Sequence, residues 1–285
     1  MKTGLVLEGG AMRGMYTAGV LDVFLRNKTE FQGIVGVSAG ALFGVNFLSE
    51  QEGRAIRYNK RFIRDKNYSG LRHLIREGNL FCTDYAYGKV PRELDVFDDE
   101  TFKKSPVPFY AVATDIESGQ GEYIQIKSCF EQMDALRASG SMPFVSRPVE
   151  IEGRLYLDGG ITDSIPFEWM SKQGYDRLVV ILTRDMSYRK KSMSKGAIKL
   201  CYRKYPKLRE KLLTRHEAYN SSVEKLTELE KEGKVFVIRP SAPIEIGRLE
   251  KDPQKLQEVY DLGVRDGENI MPKLSEYLGK SQIIS

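Results

Sequence analysis

Short apolar runs alternate with longer segments of helical periodicity over the first fifty or so residues. Residues 4–8 and 33–37 are apolar runs of strand length, and each leads through a glycine-containing turn into a helical pattern. The first helix extends to about Leu25, and the second covers 41–49. A strand, a turn and a helix repeated in this order predict a parallel sheet whose strands are joined by crossover helices.

The same alternation continues through the rest of the chain, and residues 51–92 are charged and mostly helical. Further strands are predicted at 107–114, 123–127, 154–157, 178–183 and 235–238, and further helices at 130–138, 206–232 and 253–279. We therefore predict a single α/β domain. Its catalytic core covers about residues 3–185, and a basic helical insertion with a C-terminal strand and helix covers about 187–280.

The composition is that of a folded chain. The 285 residues are 41% hydrophobic and 29% charged, which are ordinary globular values. No stretch approaches the roughly 18 apolar residues that span a bilayer, and no secretory signal precedes the first strand. Cys82, Cys129 and Cys201 follow no disulfide or metal-binding spacing. We therefore expect a cytoplasmic protein that is soluble or peripheral to a membrane.

The pentapeptide Gly36-Val37-Ser38-Ala39-Gly40 stands between a predicted buried strand and a helix. This is the G-x-S-x-G pattern of a nucleophile elbow, in which a sharp turn projects the hydroxyl outward and the glycines make room for the backbone. The helix behind Ser38 points its free amide groups at the reacting oxygen. A serine that only caps the helix is the alternative, and the strand-to-helix placement favours a nucleophile.

The loop after the first strand is also rich in glycine. Its sequence is Gly9-Gly10-Ala11-Met12-Arg13-Gly14. Backbone amides at such a junction can bind a phosphate or the oxyanion of a tetrahedral intermediate. The dinucleotide pattern G-x-G-x-x-G fits poorly, because Ala11 stands where its second glycine belongs. Beside a nucleophile elbow, an oxyanion hole is the better interpretation.

The third candidate is the aspartate of Asp158-Gly159-Gly160, at the end of a short predicted strand. A serine nucleophile needs a base, and histidine is the usual one. The two histidines, His73 and His216, both fall in charged helical segments. Asp158 could therefore act as the base itself in a Ser–Asp dyad, although Asp-Gly turns without any chemistry are common.

These three elements together resemble the patatin-like phospholipase family. That family carries a glycine-rich loop with a basic residue, a G-x-S-x-G nucleophile and an Asp-Gly-Gly or Asp-Gly-Ala turn, in this order. The resemblance covers roughly residues 3–185. Two weaker matches lie between the main ones, namely Ala113-Thr114-Asp115 and Ala138-Ser139-Gly140-Ser141-Met142-Pro143.

The resemblance implies a three-layer α/β/α fold with a mostly parallel sheet. It also implies hydrolysis of lipid carboxylic esters, of phospholipase A or lysophospholipase type, without a metal or cofactor. By this analogy Ser38 attacks the ester carbonyl while Asp158 accepts its proton and later activates water. The oxyanion hole is assigned to Gly9, Gly10, Ala11, Arg13 and Ala39, and the supporting glycines are Gly14, Gly36, Gly40, Gly159 and Gly160.

Two alternatives remain open at this stage. A general carboxylesterase or acyl thioesterase would use the same dyad, and a non-catalytic protein could keep the fold as an acyl or anion pocket. The family's loop commonly has three successive glycines, and here Ala11 replaces the third. Because alanine resists a positive φ, a left-handed backbone at this position would strain the loop.

The segment from Ser187 to His216 is strongly basic. Tyrosine and aliphatic residues are interleaved with the charges, which is typical of a surface that binds anionic lipid headgroups. A solvated lid is the alternative, and no nucleic-acid-binding module accompanies the segment. We therefore expect an acyl-ester or lipid substrate, a candidate membrane contact through Arg189–Arg215, and no nucleic-acid partner. The basic residues, opposed only by Glu210, are Arg189, Lys190, Lys191, Lys195, Lys199, Arg203, Lys204, Lys207, Arg209, Lys211 and Arg215.

Overall fold

A single mixed sheet lies at the centre of the molecule, of which the computed structural model describes residues 1–279. Within these residues eight strands follow the order β5-β6-β3-β2-β1-β7-β8, with β4 also beside β3. The strands are β1 (Thr3–Leu7), β2 (Gly33–Val37), β3 (Phe109–Asp115), β4 (Gly121–Ile126), β5 (Val149–Ile151), β6 (Arg154–Asp158), β7 (Arg177–Ile181) and β8 (Val235–Ile238).

The central part of the sheet is parallel, as the sequence predicts. Strands β3, β2, β1, β7 and β8 pair in parallel, whereas β4, β5 and β6 run antiparallel to their neighbours. Every residue of β1 and β2 is buried, because helices cover both faces. The strand β6 was predicted at 154–157, but its antiparallel direction was not, since the direction depends on pairing with a distant strand.

The helices form two layers around the sheet. The side chains of Leu5 and Leu7 pack with helices on one face, and Val6 points to the cluster on the other face. The helices are α1 (Met15–Arg26), α2 (Ala39–Leu48), α3 (Arg54–Phe62), α4 (Leu71–Glu77), α5 (Asp99–Lys104), α6 (Met133–Ser139), α7 (Phe167–Ser171), α8 (Lys195–Cys201), α9 (Pro206–Lys231) and α10 (Pro253–Tyr277). The three-layer α/β/α fold is therefore confirmed.

The basic segment is anchored to this core by α9. Leu208, Leu212, Tyr219 and Leu226 of α9 are buried, and Tyr219 and Leu226 belong to the cluster that packs on the sheet. One face of the segment is therefore part of the protein interior, and only its other face is exposed. None of the helices within residues 1–279 combines the length and apolar character that a bilayer crossing requires.

One feature of the sheet brings two strand ends together. Strand β4 follows β3 from Phe109 to Thr114 on one edge. The opposite edge is shared, because β2 pairs with the first part of β3 and β6 with the last part. Val37 pairs with Val112, and Asp158 pairs with the next residue, Ala113. The chain must leave the sheet at Ser38, because β6 occupies the next position along β3.

Candidate active site

The turn at Ser38 has a strained backbone. Ser38 has φ 53° and ψ −121°, a region that residues other than glycine rarely adopt. The flanking glycines are required by close approach, since a Cβ at Gly40 would lie 2.5 Å from the carbonyl oxygen of Leu7. The Ser38 amide donates to Ser139 Oγ at 2.9 Å, which fixes the turn from the direction of α6. These contacts hold the hydroxyl at the end of the parallel strands.

Asp158 lines one cavity together with Ser38. It is only 3% exposed, and its Oδ1 accepts the Gly160 amide at 2.8 Å. Burial raises the pKa of Asp158. The positive charge of Arg215 and hydrogen bonding from the Ser38 side chain and the Gly160 amide act in the opposite direction and favour the carboxylate. A base positioned against the hydroxyl is the arrangement that activates a serine.

The two weaker motifs hold this pair in place. Thr114 Oγ1 donates to the Asp158 carbonyl at 2.9 Å, and the Asp158 amide donates to the Ser141 carbonyl at 2.8 Å. Asp115 forms an ion pair with Arg154 and lies on the far side of the strand end. The motifs at 113–115 and 138–143 therefore fix the backbone of the candidate dyad.

The glycine-rich loop presents two unused amides. Within residues 1–279, the N–H groups of Gly10 and Ala11 donate to no backbone or side-chain acceptor. Ala39 begins α2, so its amide is one that the helix leaves free. By contrast, the Gly9 amide donates to Ser164 and the Arg13 amide to Gly10. Gly10, Ala11 and Ala39 are thus the amides available to an oxyanion.

Ala11, which stands where the family commonly has a glycine, has a left-handed backbone with φ 49°. This conformation is costly for alanine and not for glycine. We expect Ala11→Gly to raise the free energy of unfolding by up to about 1 kcal/mol. Removing the left-handed penalty of about 1–2 kcal/mol outweighs the entropy cost of glycine, about 0.5–1 kcal/mol. Urea denaturation measures the effect. Ala41→Gly, inside α2, is the matched control and should lower stability instead.

Ser38 lies where two cavities meet. The first, here called the apolar cavity, is lined mainly by hydrophobic and aromatic side chains from α2, α6 and the π-helical segment Thr83–Leu94. Phe43, Val90, Phe97 and Leu136 are among them. A cavity of this composition that opens at a nucleophile can accept a hydrocarbon chain.

The second cavity is polar and contains Asp158, Gly10 and Ala11 as well as Ser38. Five basic side chains line it, against the two acids Glu8 and Asp158. This cationic pocket is defined by Arg13, Arg184, Lys190, Arg215 and Arg248. Apart from Arg13, none was identified as a site residue from the sequence. The surplus of positive charge after residue 186 was the signal that could have indicated such a pocket, and it was interpreted as a surface that contacts a membrane.

Both histidines lie away from this centre and line neither cavity. His73 bonds to Glu77 at 3.0 Å and to the Lys66 carbonyl at 2.9 Å, so both ring nitrogens have partners. His73, Glu77 and Cys82 are close enough to one another to hold a metal ion, but none of them lines either cavity. Asp158 therefore remains the candidate base.

Comparisons with known proteins agree with these features. The family model described as "Patatin-like phospholipase" matches residues 5–169. A second, described as "Domain of unknown function (DUF6363)", matches residues 205–279. The uncharacterized protein YjjU of Escherichia coli is 34% identical over 183 residues, covering 63% of this chain and 51% of YjjU.

Two further similarities extend over more of the chain. Lysophospholipase nte1 of Aspergillus niger is 25% identical over 295 residues, covering 95% of this chain and 18% of that protein. Among solved structures, VipD from Legionella pneumophila aligns with a TM-score of 0.47 and 12% identity, covering 95% of this chain and 67% of that one. The chain spans about half the length of YjjU and a smaller part of nte1.

Proposed function

Since this chain belongs to the patatin-like phospholipase family, whose members include lipid hydrolases, we propose that it is a serine acyl hydrolase with Ser38 as nucleophile and Asp158 as base. The observation that carries the proposal is the meeting of β2 and β6 on one edge of β3, which supports it by bringing Ser38 and the buried Asp158 to one cavity. A lipid ester is the substrate class that the apolar cavity favours.

The reaction follows from these positions. Ionised Asp158 accepts the Ser38 proton as the oxygen attacks the ester carbonyl, and the amides of Gly10, Ala11 and Ala39 stabilise the oxyanion. Asp158 then gives the proton to the leaving alcohol, and the acyl group stays on Ser38. In the second half, Asp158 takes a proton from water, which attacks the acyl-enzyme, and gives that proton to the Ser38 oxygen as the fatty acid leaves. Both halves need the carboxylate ionised at the start.

Covalent labelling by a fluorophosphonate tests the proposal. The probe reacts with activated serines, so we expect one adduct on the wild type by intact mass. Ser38→Ala should take none, and Asp158→Asn should be labelled at least about 100-fold more slowly, because a positioned base contributes about 10²–10⁴-fold. Ser171→Ala, in α7, is the matched control and should label like the wild type.

The opposite results would be equally clear. Folded wild-type protein that takes no label, beside a control hydrolase that does, would favour a binding protein over an enzyme. Hydrolysis of a thioester in preference to a lipid ester would support the thioesterase alternative with the same dyad.

We also propose that residues 1–279 form one domain. Strand β8 extends the sheet beside β7, and α10 packs closely on α1. The approach is closest at two glycines, since a Cβ at Gly19 would lie 2.3 Å from the Tyr260 carbonyl oxygen and one at Gly263 would lie 2.1 Å from that of Tyr16. These contacts make the region of the second family match part of the same folded unit.

The outer face of the basic segment supports a contact with anionic membrane, which we include in the proposal. Leu200 is 77% exposed, and Lys199, Arg203 and Lys204 surround it in sequence and are exposed as well. An apolar side chain among cationic ones suits a lipid boundary.

A further inference from the structure

We propose that the cationic pocket binds the phosphate of a lipid headgroup, so that the preferred substrate is an acyl ester whose leaving alcohol carries a phosphate monoester. This inference rests on the proposed function and specifies its substrate. Ser38 stands between the two cavities. An ester carbonyl at Ser38 therefore has the apolar cavity for its acyl chain and the cationic pocket for its alcohol.

The basic side chains of this pocket have few internal partners, and Lys190 Nζ donates to Ser164 Oγ at 3.4 Å. Among the described residues, none of Arg13, Arg184, Lys190, Arg215 and Arg248 forms an ion pair within 4.0 Å. The buried Nε atoms of Arg13, Arg184 and Arg215 also have no hydrogen-bond acceptor there. Arg13 is buried and Arg184, Lys190 and Arg215 are half-buried, whereas Arg248 is exposed. Unpaired charge is costly to the extent that it is removed from water. An anion inside the pocket would supply the missing partner.

The acids nearby do not fill this role. Both carboxylate oxygens of Glu8 are occupied, one by Thr183 and the other by the Tyr219 hydroxyl at 2.8 Å. Oδ1 of Asp158 accepts the Gly160 amide at 2.8 Å, so one of its oxygens is engaged as well. Arg215 lies beside this turn, with its Nη2 2.9 Å from where a Cβ on Gly160 would stand. The pocket therefore keeps an excess of positive charge next to the reacting groups.

The pocket is also preorganised. Two of the cations make cation–π contacts. Lys190 Nζ lies 3.8 Å from the centre of the Tyr219 ring, and the Arg184 guanidinium lies 4.1 Å from the centre of the Tyr188 ring. Asn220 holds the Lys190 backbone by two hydrogen bonds, of 2.8 and 3.1 Å. Side chains held in place before binding lose little entropy when an anion arrives.

Burial and mutual repulsion weaken the protonation of these cations. Burial lowers the pKa of Arg13 to about 10, and burial together with Arg215 holds the pKa of Lys190 well below its usual range. A bound phosphate would raise the pKa of both Arg13 and Lys190, because its negative charge favours their protonated forms. Its several oxygens can accept hydrogen bonds from lysine and arginine together. A phosphate monoester suits such a cluster better than a neutral or zwitterionic headgroup.

Four of the pocket's five basic residues come from outside the patatin-like match. Arg184, Lys190, Arg215 and Arg248 all follow residue 169, where that match ends. Arg215 and Arg248 lie within the second match, 205–279. The C-terminal region thus adds headgroup recognition to a hydrolase core that supplies the dyad.

Two short-chain substrates with the same acyl group test the inference. Hexanoyl glycerol phosphate carries the phosphate and monohexanoylglycerol lacks it, and short chains keep both monomeric. We expect the wild type to prefer the phosphate substrate in kcat/KM. Lys190→Met and Arg184→Met should each lower this preference at least about tenfold, as loss of a charged hydrogen bond does. Lys231→Met, exposed at the end of the same helix as Arg215, is the control and should leave the preference unchanged.

Inhibition separates a headgroup from free phosphate. Glycerol phosphate should inhibit hydrolysis of monohexanoylglycerol competitively, and more strongly than inorganic phosphate at equal concentration. Equal inhibition by both, without a substrate preference, would make this a free-phosphate site and overturn the inference. Hydrolysis of both substrates at similar rates by all four proteins would also overturn it and leave the proposed function standing. No hydrolysis and no fluorophosphonate adduct would overturn both.

Discussion

Ser38→Gly is expected to lose ester hydrolysis while gaining stability. Without the hydroxyl there is no acyl-enzyme, so kcat/KM should fall by at least about 10⁴-fold, as for nucleophiles of other hydrolases. The same change relieves a backbone held at φ 53° and ψ −121°. Such strain costs about 1–3 kcal/mol, against about 0.5–1 kcal/mol for the flexibility of glycine. We expect a net gain of about 1 kcal/mol in the free energy of unfolding.

Ser38→Ala is the matched control, because it removes the hydroxyl and keeps the strain. It should lose as much activity as Ser38→Gly without the gain in stability. The test is urea denaturation and kcat/KM on one ester, measured for the wild type, Ser38→Gly and Ser38→Ala. A glycine variant less stable than the alanine variant would show that the turn at Ser38 is not strained by its side chain.

The strands of the parallel core could be predicted from the sequence because burial on both faces leaves a continuous apolar run. Strands β2 and β7, for example, lie within about three residues of their predicted positions. Strand β5 and helix α8 were missed. With three and seven residues, they are too short for periodicity to identify.

The candidate dyad could also be predicted, because each half is a local motif at a strand end. What the sequence could not show is how the halves meet, since this depends on β2 and β6 sharing an edge of β3. The cationic pocket was beyond prediction for a similar reason. Two residues that line this pocket, Tyr219 and Glu8, are joined by a hydrogen bond although they are 211 positions apart in the sequence.

Composition alone cannot tell which charges of the basic segment face solvent. A run of charge at helical spacing is most often a solvated face, and its even mixture with tyrosines suggested a membrane surface. In the fold, Tyr219 of α9 faces inward, and Lys190 and Arg215 line the cationic pocket. Only the packing of α9 on the sheet separates the charges that face the pocket from those that face solvent.

Asp158→Asn is expected to lose about 10³-fold in kcat/KM without losing stability near neutral pH. Asparagine is the same size and its amide oxygen can still accept the Gly160 amide, whereas it cannot take a proton from Ser38. Because burial raises the pKa of Asp158, the ionised form that catalysis requires is the form that the folded state tolerates less well. Catalysis at this site therefore costs stability.

The sign of the pH dependence follows from that shift. A carboxyl whose pKa is higher in the folded state contributes stability that is fully present below its unfolded pKa, about 4, and is lost as pH rises through the folded pKa. The wild type should therefore lose stability relative to Asp158→Asn over this interval, while its kcat/KM rises with the ionisation of Asp158.

Urea denaturation of the wild type and Asp158→Asn at pH 4 and pH 7 measures the difference. We expect Asp158→Asn to be at least as stable as the wild type at pH 7, and its advantage to shrink toward pH 4. Ser38→Ala is the control here too, since it is inactive but keeps the carboxyl. Its stability should fall from pH 4 to pH 7 at least as much as that of the wild type, because the hydroxyl that favours the carboxylate is gone. If Asp158→Asn is clearly less stable than the wild type at pH 7, the carboxylate stabilises the fold. Arg215 would then be the ion-pair partner of Asp158 rather than a ligand for phosphate.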